Sequence, residues 1–347
     1  MTDLVLASKW HSSENRRREA LKAAHQQDEV ALGELLEAYL LLKSSRKSLI
    51  SPKTLKSYRE TLRKFLSYIG PAEAPKQSLL QLTAEDIEFW LLHMNGEQLK
   101  ASSVQRHLCA LRNVLKALVW AGVLKSDPSF SVKPPSDKTE AHNKKGALSL
   151  NMYQKLIALP KTMYPDHTYR IHRDTLLLCL GGSMGLRVAE ICQLTCQDVD
   201  LNLKQVRVRG KGSKTRILPL TGTLIAHIKA WLESRTALKM QGKTSCDALL
   251  VSFQPGHFGK PLSTNGARDI AARYYTALGL PPEFFGMHTL RRTAGTHLYR
   301  ATRDLHVVAD LLGHANINTT AIYAKMDSEV RLEALEKLEA LRQDHQG

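Results

Sequence analysis

Residues 127–147, DPSFSVKPPSDKTEAHNKKGA, are rich in proline and lysine and poor in apolar side chains. A stretch of this composition offers little to bury and breaks both helix and strand, so it reads as a linker that joins neither core. It divides a chain of 347 residues, which is long enough for two domains that each bury a core of their own. The expected boundaries are an arm at 1–28, a helical domain at 29–127, the linker at 128–147, a second domain at 148–330 and a terminal helix at 331–347.

Helical periodicity dominates the first half. The segment 12–28 is polar and charged and reads as a solvated arm, frayed or helical. From Val30, Leu32, Leu35, Leu36, Tyr39 and Leu40 form one apolar stripe. In SPKTLKSYRETLRKFLSYIG, Ser51 is placed as N-cap and Pro52 at the first helical position, while Leu55, Tyr58, Leu62, Phe65, Leu66 and Ile69 share a face. TAEDIEFWLLHM, opening on a Thr83/Asp86 pair, and SSVQRHLCALRNVLKALVWAGV supply two more helices. Four helices over 30–125 predict an all-α domain.

The second half adds a small sheet. KQVRVRGKGSKTRILPL alternates around a Gly-Lys-Gly-Ser turn and predicts a β-hairpin, whereas the segments before and after it keep helical spacing. The fold class expected is therefore mainly α, an all-α domain followed by an α+β domain. The tail SEVRLEALEKLEALR carries leucines at 332, 335, 338 and 341 and predicts an amphipathic helix.

Lysine and arginine exceed aspartate and glutamate by 49 to 33, giving a formal charge of +16. The excess is spread along the chain, which suits folded basic faces on a polyanion better than a charged tail. No run of about 18 apolar residues appears, and no signal-peptide pattern opens the chain, so a soluble, cytoplasmic and nucleoid-associated protein without membrane contact is expected. Five scattered cysteines argue for reduced thiols; Cys192 and Cys196 could share a helix face, but no second pair accompanies them, and no metal is expected.

The residues that carry chemistry lie in the second half. In GGSMGLRVAEICQL, glycines at 181, 182 and 185 interrupt an apolar helix and Arg187 opens the next. Taken alone, Arg187 is as well explained by an ion pair with Glu190, and Lys211 in RGKGSKTR by an ordinary solvated turn. HTLRRTAGTHLY places His288 and Arg291 at i and i+3, where they can converge on one anion. Arg292 points to DNA backbone or solvent, and His297 reads as packed. In DLHVVADLLGHANINTTAIYAKM, Gly313 is a C-cap, His314 lies in the turn, and Tyr323 follows on a short helix from about Asn318. By itself this stretch also passes for a helix-turn-helix.

Taken together, Arg187, Lys211, His288, Arg291, His314 and Tyr323, with HxxR and His-x8-Tyr at the end, resemble the active-site set of the tyrosine recombinases, the phage integrase family, closest to its Xer-like group. GLRVAEICQL, RGKGSKTRILPL, HTLRRTAGTHL and LLGHANINTTAIYAK resemble the family's motif segments over residues 148–330, and the helical half resembles its SAM-like core-binding clamp more loosely. The arm and linker are longer than the family pattern, and no second DNA-binding domain of the size that arm-binding integrases carry is expected.

The resemblance implies site-specific strand exchange on duplex DNA with inverted-repeat sites, in integration, excision or resolution. It also implies a 3′-phosphotyrosyl intermediate, a tetramer on two sites, a terminal helix docked on a neighbouring protomer, and room for accessory proteins. The chemistry fits without the name. Arg187 and Arg291 offer fixed forks to non-bridging oxygens, His288 and His314 add hydrogen bonds, and Lys211 can protonate the leaving 5′-oxygen. Tyr323 needs nearby cations to lower its ordinary pKa of about 10. With cations in place of magnesium, no metal, cofactor or ATP is needed. The resemblance assigns His288 the base-like role. Lys53, Lys56, Arg59, Arg106 and Arg112 are candidate DNA contacts in the clamp, though each singly reads as a solvated charge. The competing expectations are a type IB topoisomerase-like relaxing enzyme and a non-catalytic DNA-binding regulator.

Overall fold

The structure is a computed structural model that describes residues 8–43, 50–71, 78–135, 146–210 and 215–314, together with Thr320 and Tyr323. The chain forms two compact units, residues 1–138 and 139–347. Both are built mainly from helices.

The first unit contains α1 (Ser13–Gln26), α2 (Glu29–Lys43), α3 (Pro52–Ile69), α4 (Ala84–Gly96) and α5 (Ala101–Trp120). Local chemistry sets the helix starts. Ser51 accepts from the Thr54 N–H ahead of Pro52, and Thr83 and Asp86 exchange both bonds of a capping box. The core forms where α2, α3, α4 and α5 turn Leu32, Leu36, Leu62, Phe65, Trp90 and Leu111 inward, with Phe65 and Trp90 edge to face at 4.9 Å. His107 is buried among them and is satisfied by the Thr61 hydroxyl at 2.9 Å.

Two expectations need correction here. Residues 13–26 are not a solvated arm: α1 packs against α2, burying Ala20, Ala23 and Ala24, and Trp10 just before it is 1% exposed. The Arg16 guanidinium stacks on Trp120 at 4.0 Å and donates to the Trp10 carbonyl. An alanine stripe has little hydropathy to advertise itself, but it permits close helix approach. The linker also begins later than its composition suggests, because Val132 and Ser129 are buried in this core and Arg112 donates to both their carbonyls. Gln105 likewise holds the Pro135 carbonyl at 3.0 Å.

The second unit contains α6 (Leu150–Met163), α7 (Thr168–Gly182), α8 (Val188–Gln193), β1 (Val199–Asp200), β2 (Gln205–Arg209), β3 (Thr215–Pro219), α9 (Gly222–Met240), α10 (Thr264–Ala277), α11 (Met287–Thr302) and α12 (Leu305–Leu312). The central element is α7, whose Leu176, Leu177, Leu178 and Leu180 are buried and which touches α6, α9 and α11. Gly181 and Gly182 do not interrupt this helix but complete it, since added Cβ atoms would collide with Leu290 and Tyr153. Charge buried in α7 is paired internally: Arg173 and Tyr274 both donate to Asp174 at 2.7 Å, on opposite carboxylate oxygens.

The hairpin forms as expected, with a short third strand beside it. The antiparallel order is β1-β2-β3, with Val206 opposite Leu218 and Val208 opposite Arg216. Val206, Val208 and Leu218 face the core, which places Arg216 on the inward side of β3. The helix expected over 331–347 and the turn expected at Lys211 lie outside the described residues, as does most of the short helix expected from Asn318. Among the described residues no helix is long and apolar enough to cross a membrane.

Trp10→Ala should lower the unfolding free energy of the first unit by about 3 kcal/mol, the cost of a large core truncation. Urea denaturation followed by intrinsic fluorescence measures it. An unchanged midpoint would mean that the segment ahead of α2 does not pack.

Candidate active site

Arg187 sits at the start of α8 because Glu190, three residues on, accepts its backbone N–H at 2.9 Å. The same carboxylate accepts Arg187 Nη1 at 2.9 Å and both terminal nitrogens of Arg216, at 3.1 and 2.9 Å. Both readings of Arg187 are thus compatible: it pairs with Glu190 and still keeps a partly exposed guanidinium, 39% accessible. Burial by itself would raise the Glu190 carboxyl, but the hydrogen bonds from Arg216 and Arg187 outweigh it and hold the pKa below the usual value.

Arg291 lies deep on α11. Its Nη1 donates to the Gly185 carbonyl at 2.5 Å and its Nη2 to the Leu312 carbonyl at 2.6 Å. Gly185 has φ +66° and an added Cβ would collide with Leu312, so the glycine permits both the turn before Arg187 and the seating of α12. Burial first, then the neighbouring Arg187, depress the Arg291 pKa to about 10, which leaves it charged at neutral pH.

The turn after α12 completes the group. Gly313 takes a left-handed φ of +63° and its carbonyl lies 3.4 Å from Arg187 Nη2. His314 hydrogen-bonds through Nδ1 to the buried Thr320 hydroxyl at 2.9 Å, and its ring stacks on Tyr323 at 6.2 Å with the planes 10° apart. Tyr323 is 4% exposed and lies over Gly295 of α11, where an added Cβ would come within 2.6 Å of the ring. Its backbone N–H donates to the Thr320 carbonyl.

The charges of the site act on one another. Burial raises the Tyr323 phenol, while Arg291, Arg292 and Arg187 pull it back. For His314, burial and then Arg291, Arg187 and Arg216 push the pKa down to about 4, so the ring is neutral at pH 7. His288, in the first turn of α11, is exposed, and its pKa is also lowered, first by partial desolvation and then by Arg291, Arg292, Arg187 and Arg268. Arg187, His288, Arg291, His314 and Tyr323 therefore share one electrostatic neighbourhood.

Lys211 lies outside the described residues. Arg292 is half-buried, close enough to bias Tyr323, so its influence reaches the site as well as the surface. In the first unit, Lys53, Lys56 and Arg106 are exposed, and Arg59 pairs with Glu37 at 2.5 Å. Arg112 is partly buried and donates through Nη2 to the Ser129 and Val132 carbonyls, a structural role beside the DNA contact expected of it. Among the described residues no group of three or more His, Cys, Asp or Glu is arranged to hold a metal ion.

The sequence reading passed over Arg216, Thr320 and Gly295. For Arg216 a signal existed: in TRILP it alternates in phase with Leu218, and an arginine on an inward strand position calls for a buried acid. Thr320 and Gly295 had none, because each matters only through a contact made across the fold.

His314 should titrate near 4 rather than at the ordinary 6.5. A histidine whose folded pKa is depressed contributes stability above its unfolded value, and that contribution is lost as pH falls from about 6.5 towards about 4. Histidine NMR titration reads the pKa directly, and His314→Gln should make the fall of the thermal midpoint between pH 7 and pH 4.5 shallower. Equal slopes in the two proteins would contradict the buried, cation-ringed placement.

Comparison with known proteins agrees with this geometry. Residues 148–329 match the phage integrase family, and residues 36–122 match the phage integrase N-terminal SAM-like domain. A tyrosine recombinase XerC of Pseudomonas savastanoi pv. phaseolicola is 32% identical over 308 residues, covering 84% of this chain and 91% of the relative. In fold, the chain is similar to the XerH site-specific recombinase bound to a palindromic difH substrate in a post-cleavage complex (TM-score 0.69, 21% identity, 96% of this chain and 99% of that one). It is also similar to a lambda integrase tetramer bound to a Holliday junction (TM-score 0.60, 20% identity, 84% and 76%). With its helical first unit matching the one domain and the residues around Tyr323 lying within the other, the chain belongs to the phage integrase family, the tyrosine recombinases.

Proposed function

We propose that this chain is a site-specific recombinase that cuts and rejoins DNA strands, with Tyr323 as nucleophile. One observation carries the reading: a buried tyrosine lies in the field of Arg187 and Arg291 and against His314, all held by contacts that converge on the turn after α12.

In this reading the Tyr323 hydroxyl attacks phosphorus, a Tyr–O–P bond forms and the P–O5′ bond breaks. Burial keeps the phenol protonated at neutral pH, so the proton needs an acceptor, and His288, its pKa lowered, is neutral and able to take it. Arg187 and Arg291 remain charged and donate to the non-bridging oxygens as charge builds there. His314 Nδ1 lies 2.9 Å from the Thr320 hydroxyl, and in the tautomer this reading requires the hydroxyl donates to Nδ1 and Nε2–H gives a third donor. Lys211 protonates the departing 5′-oxygen. Reversal by a 5′-hydroxyl of a second duplex completes strand exchange, since the phosphotyrosyl link conserves the bond.

DNA is the substrate this reading requires, and the charge of +16 supports binding through phosphates. Lys53, Lys56 and Arg106 supply exposed cations for that contact. The XerH and lambda integrase structures to which the chain is similar hold DNA, one of them as a tetramer on a Holliday junction, and that assembly is the one we infer for this protein on inverted-repeat sites. Action on chromosomal, phage or plasmid DNA places it in the cytoplasm.

Incubation with a library of duplexes of randomised centre, followed by denaturing gels, should recover a covalent protein–DNA adduct and with it the cleaved site. Tyr323→Phe should still bind that duplex and yield no adduct; an adduct that persists would remove Tyr323 as nucleophile. Relaxation of a supercoiled plasmid lacking the recovered site would favour a topoisomerase instead. Lys211→Ala should slow cleavage by about 10²–10⁴ and recover on a duplex with sulfur at the 5′ leaving position, which needs little protonation. Equal loss on both duplexes would take Lys211 out of the acid role.

A further inference from the structure

Arg216 is an arginine that the proposed chemistry does not use. It lies on the inward side of β3, 19% exposed, and both its terminal nitrogens are taken by one carboxylate, that of Glu190. Its guanidinium also lies against Gly313, where an added Cβ would stand 3.0 to 3.2 Å from Nη1, Cζ and Nε. Each terminal nitrogen gives one of its two N–H bonds to Glu190, and among the described residues the buried Nε has no partner, so the fork is aimed at the carboxylate and not at an open phosphate site.

Its effect falls on other groups. Glu190 accepts four hydrogen bonds, two from Arg187 and two from Arg216, which fills both carboxylate oxygens. Glu190 in turn fixes Arg187, backbone and side chain together. Arg216 therefore ties β3 to the start of α8, and it underlies the turn that presents His314. We propose, resting on the recombinase reading above, that Arg216 is a positioning residue. It keeps the Glu190 carboxylate fully bonded so that Arg187 is aimed at the scissile phosphate, and it sets the height of the Gly313–His314 turn.

The surroundings of Glu190 make this testable by pH. It is faced by Arg187 at the start of its own helix, by Arg216 from β3, and at longer range by Arg291 from α11. On β2, Arg209 is committed to Asp198 at 2.9 Å, and on α10, Arg268 acts on Cys192 and His288. Removing Arg216 leaves burial as the main influence on Glu190, so its pKa rises and the carboxyl protonates as pH falls, releasing Arg187.

The experiment uses full-length protein and the duplex recovered by wild-type capture, with single-turnover cleavage and duplex affinity measured from pH 6 to pH 8. Arg216→Met should cleave about 100-fold more slowly at pH 6 with affinity unchanged, the scale of loss expected when a reacting group is misplaced by about 1 Å. The deficit should narrow towards pH 8, and adding Glu190→Gln should abolish that pH dependence. Arg216→Lys, which keeps the charge but not the fork, should show a smaller deficit that varies little with pH; it carries the test alone should Arg216→Met fail to fold. Wild-type rates in either folded variant, or a deficit in Arg216→Met equal at every pH, would overturn the inference while leaving the recombinase reading intact. Absence of any adduct from the wild-type protein would sink both.

Discussion

The second unit turns on a cation that is nearly sealed from water. Arg291, 5% exposed, joins three separate pieces of backbone by donating to the Gly185 carbonyl before α8 and to the Leu312 carbonyl at the end of α12. Burying a guanidinium is costly unless its donors are met, and here two main-chain carbonyls meet them without neutralising its charge. The full positive charge is thereby held in a low-dielectric place, where a phosphate or a phenolate feels it more strongly than in water. Gly185 and Gly313, both with positive φ, are the points at which the chain bends enough to bring those carbonyls round.

Around that fixed charge the other ionisable groups settle into complementary states. His314 and His288 are driven neutral, Tyr323 is kept protonated by burial against an opposing pull from three arginines, and Glu190 alone is stabilised as an anion. Among the described residues this acid tempers the repulsion between Arg187 and Arg291. A site that is strongly cationic yet contains two neutral imidazoles can both hold phosphate charge and move protons, functions that a uniformly charged surface could not combine.

Much of this was legible in the linear sequence. Helix positions followed from apolar spacing, and helix starts from Ser51, Pro52 and the Thr83/Asp86 pair, because capping is a matter of a few neighbouring residues. The hairpin was written in the alternation of QVRVR and TRILP about a glycine turn. What escaped was packing without a hydropathy signal. The alanine stripe of α1 and the isolated Val132 join the first core by shape, and Arg112 looks like any surface cation until the carbonyls of Ser129 and Val132 are seen beneath it.

By itself the sequence determined a mainly helical chain in two parts, with a basic charge balance, and an ordered series of Arg, Lys, His, Arg, His and Tyr whose types suit work on a phosphodiester. Those properties depend on composition, period and order, all of which are local. Only the tertiary structure decided which groups meet: Arg216 reaches Glu190, the partner of Arg187, across 26 residues, Arg291 reaches Gly185 across 106, and Tyr323 rests on Gly295 because a glycine there leaves room for its ring. Contacts of that range are set by how α7, α8, α11 and α12 pack, and a side chain's protonation state follows from its burial and neighbours, neither of which is written beside it in the chain.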